Sequence, residues 1–81
     1  MEKGYNSDIH FQGQRYHVQT EDWGMNNPFV VTKVFCNGAV IKSLKTSYAE
    51  LFLPFDGNDR QAIRAALQRQ HQEVLDRLFS N

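Results

Sequence analysis

The stretch Phe29 to Lys45, FVVTKVFCNGAVIKSLK, constrains the fold more than any other part of this 81-residue chain. Two apolar, β-branched runs flank Asn37-Gly38, and Asn-Gly supplies the two positive-φ positions of a type I′ turn, whose twist matches that of paired strands. The segment therefore reads as a β-hairpin. Its first strand sets Phe29, Val31 and Phe35 on one face and Val30, Thr32 and Val34 on the other. A strand that is apolar on both faces has to be covered from two sides. The return strand, Ala39 to Lys45, is expected to place Val40 and Leu44 on one side and Ala39 and Ile41 on the other.

An earlier hairpin precedes it. Ile9 and Phe11 alternate with His10 and Gln12, a turn falls at Gln12-Gly13-Gln14, and Tyr16, Val18 and Thr20 then alternate with Arg15, His17, Gln19 and Glu21. Period-two alternation of this kind gives one wet face. Residues 1–7 are polar and expected to be loose. Asp22 to Pro28 breaks both periodicities and reads as a loop, although it holds Trp23 and Met25. In the connection at 46–57, Ser47 and Glu50 have the spacing of a capping box, and Pro54 stops any helix after barely two turns. The segment 58–79 is the clearest helix: Asn58 suits the N-cap, Asp59 and Gln61 suit the first turn, and Ile63, Leu67, Val74 and Leu78 recur at helical spacing with Ala66 and Leu75 beside them. The expectation is a single α+β domain over 1–81, with an antiparallel meander of three or four strands at 8–45 and the amphipathic C-terminal helix packed on one face.

Apolar residues at 41% and charged residues at 22% are globular values, which argues against disorder. Nine basic and nine acidic side chains cancel, a poor electrostatic match for a nucleic-acid backbone. Lys33, Lys42 and Lys45 make the second hairpin locally positive, while Glu50, Asp56 and Asp59 make the next segment negative, a pattern read as a solvated rim. Cys36 is the only cysteine, so no intramolecular disulfide forms. With no apolar run fit for a signal peptide or a membrane span, a cytoplasmic protein without membrane partners is expected.

The residues that invite a search for chemistry are few. His17 and Glu21 share the exposed face of their strand with Gln19 between them, but the ligand count falls short of a structural zinc pattern, so no metal and no cofactor is expected. His71 sits at the border of the helical stripe and reads as a histidine capping the core. Cys36 lacks the local signature of a cysteine enzyme, and the five glycines are scattered through turns rather than gathered in a phosphate loop. Ten aromatic residues are many for this length, and without a positive groove they fit core and interface packing better than base stacking.

The string Tyr16-His17-Val18-Gln19-Thr20-Glu21-Asp22, followed by Gly24, Pro28, Thr32, Phe35, Gly38, Ile41, Ser43, Lys45 and Tyr48, resembles a small uncharacterised bacterial domain of deltaproteobacterial type. The resemblance covers roughly residues 9–52. It implies company with signalling or cell-surface motility and no particular chemistry.

The reading that follows is a non-catalytic interaction module or regulatory adaptor, homodimeric or bound to another protein. Its interface is expected at Val31 and Phe35, or at the helix end around Leu75, Leu78 and Phe79, depending on which face the helix takes. The alternative is a small-ligand sensor using Arg15, His17, Gln19 and Glu21 together with Trp23 of the loop. A small enzyme ranks third.

Overall fold

A computed structural model describes residues 4–24, 26–51 and 60–79. Strands β1 (Tyr5–Phe11), β2 (Gln14–Asp22), β3 (Phe29–Cys36) and β4 (Ala39–Ser47) form one antiparallel sheet in the order β1-β2-β3-β4, and helix α1 (Arg60–Phe79) packs across one face. The fold is α+β, a four-strand meander plus one helix. Strand β1 starts at Tyr5, earlier than the polar composition of 1–7 suggests, because Tyr5 and Ser7 continue the alternation of Ile9 and Phe11 and turn toward α1. The helix N-cap residue proposed from sequence, Asn58, and Asp59 and Pro54 lie outside the described residues.

Both hairpin turns have the same backbone signature. Asn37 and Gly38 take φ of 53° and 83°, and Gln12 and Gly13 take 50° and 80°. Two successive positive φ values define the type I′ geometry. Beyond β4, the Ser47 hydroxyl accepts the Glu50 amide at 3.1 Å, and the Glu50 carboxylate accepts the Ser47 amide at 3.3 Å. This reciprocal pair closes the single turn that carries Tyr48 into the core.

Cross-strand register fixes the two faces. Val18 lies opposite Val34, Thr20 opposite Thr32 and Asp22 opposite Val30, and these rows face the helix. The intervening rows, His17 with Phe35, Gln19 with Lys33 and Glu21 with Val31, face away from it. In β4, Leu44 pairs with Thr32, but a register shift at Val34/Phe35 brings Val40 opposite Phe35. Val40 and Leu44 therefore stand on opposite faces rather than sharing one, because the bulge inserts an extra residue between them and reverses the alternation.

Two apolar clusters sit beneath α1. One joins Val30, Tyr48, Ile63, Ala66 and Leu67, and the other joins Val18, Val34 and Val74 with Tyr16, Leu75, Leu78 and Phe79 around them. Each fully buried large side chain contributes roughly 1.5–3 kcal/mol. Phe79 meets Phe11 and Tyr16 edge-on at centroid distances of 5.5 and 5.1 Å, so the helix end is spent on internal packing.

Candidate functional site

The layer between the two apolar clusters is polar. Thr20 and Thr32 occupy the middle row of the covered face, and Gln70 and His71 come down on them from α1. The Thr20 and Thr32 hydroxyls are 2.7 Å apart, the Gln70 amide donates to Thr32 Oγ1 at 3.1 Å, and His71 Nδ1 lies 2.8 Å from Thr20 Oγ1. The other ring nitrogen, Nε2, lies 2.8 Å from Ser7 Oγ on β1. One imidazole therefore ties the helix to two strands. Burial lowers the His71 pKa, because the packed ring has lost the water that would stabilise its charge, with a lesser contribution from like-charge repulsion by His17. Nearby, buried Asp22 accepts the Gly24 amide at 2.9 Å and the Tyr48 hydroxyl. Among the described residues no buried side-chain nitrogen or oxygen lacks a partner, so this layer is a completed network that holds the helix in register.

The uncovered face carries the residues proposed as a site from sequence. Arg15, His17, Gln19 and Glu21 alternate along β2 and share that face, as their spacing dictates. His17 Nδ1 lies 2.9 Å from Asp8 Oδ1 across the β1–β2 pair, Arg15 donates to His10 at 3.3 Å, and Gln19 donates to Glu21. A shallow depression at the hairpin end is lined by Asp8, Arg15, His17, Gln19, Phe35 and Gly38. The structure thus brings His17 together with Asp8 and Phe35, the latter at a ring distance of 6.0 Å. At the opposite end of the same face, Trp23 and Phe29 lie under the Lys45 ammonium, 5.1 and 4.1 Å from their ring centroids.

The proposed interface residues divide. Val31 and Phe35 lie on the uncovered face, while Leu75, Leu78 and Phe79, at the end of α1, pack partly buried against the second apolar cluster. Val31 is 3% exposed although it points away from α1; its cross-strand neighbour Lys45 runs toward Phe29 and Trp23, and the stem of such a lysine shields apolar surface. Phe35 is half-buried. Sequence reasoning overlooked Gln70, Thr20 and Thr32 as a unit with His71. The signal was present, since positions 63, 66, 67, 70, 71 and 74 complete one helical stripe with two polar members in its middle.

Compared with protein families, with curated proteins and with solved structures, the chain matches none. Among the described residues, no helix is long and apolar enough to cross a membrane.

Proposed function

We propose that this protein is a non-catalytic interaction module, a small adaptor that docks a protein partner on the sheet face turned away from α1. One observation carries the reading. The single described helix covers one face, while the other carries Phe35 and Val40 at one end and Phe29 and Trp23 at the other, with Gln19 and Lys33 in a row between them, Lys45 over the second pair of rings, and Asp8 and Glu21 on β1 and β2. Rings and apolar side chains interleaved with charges on an uncovered sheet face suit the docking of a protein partner. The charges set orientation and the rings supply the area. The lone half-buried cysteine, Cys36, is consistent with work in a reducing, cytoplasmic compartment.

The test is affinity capture with the whole chain as bait, compared with Phe35→Ser and Lys33→Glu baits of unchanged melting temperature. A partner held by the wild type and released by both variants is the expected result. A partner held equally by all three baits would place docking elsewhere.

The depression beside the His17–Asp8 pair favours a second reading, a small-ligand sensor that uses Arg15, His17 and Gln19 as polar contacts and Phe35 as an apolar wall. Saturable shifts of the His17 ring resonances on adding a small anion such as inorganic phosphate would favour it over protein docking.

A further inference from the structure

Among the described residues, the three large apolar side chains that stand exposed, Val40 at 52%, Ile41 at 56% and Leu44 at 39%, belong to one strand, β4. Among the described residues that strand is also an edge of the sheet with no strand beyond it, so its outer backbone N–H and C=O groups are placed to pair with another strand. The backbone of helix α1 lies over β1, β2 and β3, and α1 reaches β4 only through side chains, with the Gln70 amide donating to the Leu44 carbonyl at 3.5 Å. Beside Leu44 this leaves a groove walled by Val34, Val74 and Leu78, with Lys42 and Arg77 also lining it. The other edge differs: β1 turns Tyr5, Ile9 and Phe11 under the helix and keeps Asp8 and His10 outward.

We propose that β4 pairs antiparallel with β4 of a second copy of this chain, about a two-fold axis at Leu44, extending the sheet across the dimer. The inference builds on the interaction-module reading but uses a different surface. The sequence of β4 is self-complementary in this register. A two-fold axis normal to the sheet pairs residues of equal parity, so centring on Lys42 or Lys45 would set like charges directly opposite, which is unfavourable. Centring on Leu44 sets Leu44 against its copy, Lys42 against Thr46 and Lys45 against Ser43. No lysine then faces a lysine, and the pairs nearest the axis lie beyond the bulge near Ile41. The two Leu44 side chains meet on the helix side, where each already borders its own apolar groove, so both grooves close toward one shared centre.

Sedimentation equilibrium at micromolar concentration, joined to cysteine cross-linking, tests the proposal. The wild type is expected to sediment at twice the chain mass and Leu44→Lys as a monomer with its circular dichroism unchanged. Should Leu44→Lys fail to fold, the cross-link decides: in a Cys36→Ser background, copper–phenanthroline oxidation is expected to link Leu44→Cys into a covalent dimer, since directly opposite Cβ atoms lie about 4.5–5.5 Å apart. Ile41→Cys, remote from the axis, should remain unlinked. A monomer mass for the wild type, equal linking at both positions, or a dimer broken by Phe35→Ser but not by Leu44→Lys would overturn it. Loss of a captured partner by Phe35→Ser in a wild type that stays monomeric would sink the strand pairing alone. A dimer whose partner binding ignores Phe35 would sink the open-face reading alone.

Discussion

The two faces of the central strands do not divide into an apolar inside and a polar outside. The covered face buries Thr20, Thr32, Asp22, Gln70 and His71 along with Val18, Val30 and Val34, whereas the uncovered face leaves Val40 exposed and Phe29 and Phe35 half-buried. Burial here is decided by which element lies on top, and polarity follows only where hydrogen bonds are completed. Buried polar groups are tolerated when satisfied, because an unpaired one costs about 1–3 kcal/mol. On the covered face they are satisfied. Rings on the uncovered face cost little to expose singly and become useful when a partner arrives.

The sharpest way to break this comparison is to remove its central residue. His71→Ala deletes a buried ring, removes the partner of the Ser7 hydroxyl and leaves the Thr20 hydroxyl with Thr32 alone, so a loss of about 2–4 kcal/mol is expected in urea unfolding. A midpoint within error of wild type would mean that the network does not hold the helix.

Next in size is the hairpin that serves both faces at once. Gly38→Val forces a β-branched residue to a φ of 83°, although no neighbouring atom crowds the site. The expected cost is about 1–2 kcal/mol from backbone strain alone. Gly38→Asn, which tolerates positive φ, should recover most of it, and an equal loss in both variants would point to something other than backbone conformation.

Acid offers a milder probe of the covered face. Because burial lowers the folded-state pKa of His71 below its ordinary 6.5, the unfolded chain takes up the proton first as pH falls. The stability that rests on the neutral ring is complete above pH 6.5, declines as pH drops below it and stops declining once the folded pKa is passed. Unfolding midpoints of wild type and His71→Gln, compared across this range, should converge toward low pH. Parallel curves would assign the acid sensitivity to other groups.

The smallest effects belong to the uncovered face. His17→Ala and Glu21→Ala should each change stability by less than about 1 kcal/mol, as exposed pairs do. The two faces are then separated by measurement: a large loss from either variant would make the His17–Asp8 pair part of the framework rather than part of a docking surface.

Much of this was legible in the sequence because it depends on local rules. Asn37-Gly38 specified a turn, the alternation from Tyr16 to Glu21 specified which β2 residues share a face, Ser47 and Glu50 specified a capped turn, and the stripe from Ile63 to Val74 specified the buried side of α1. Each follows from backbone sterics or from the fixed periods of strand and helix, which hold whatever the rest of the chain does. Three matters needed the tertiary structure. The bulge that sends Val40 and Leu44 to opposite faces arises from pairing with β3, and one inserted residue is enough to reverse a strand's faces. The choice of face for α1 set Leu75, Leu78 and Phe79 partly buried against the second apolar cluster and left Phe35 on the other side. The union of Ser7, Thr20, Thr32, Gln70 and His71, residues up to 64 positions apart, exists only once helix and sheet have met, because a hydrogen bond across two packed layers has no period in sequence for a reader to follow.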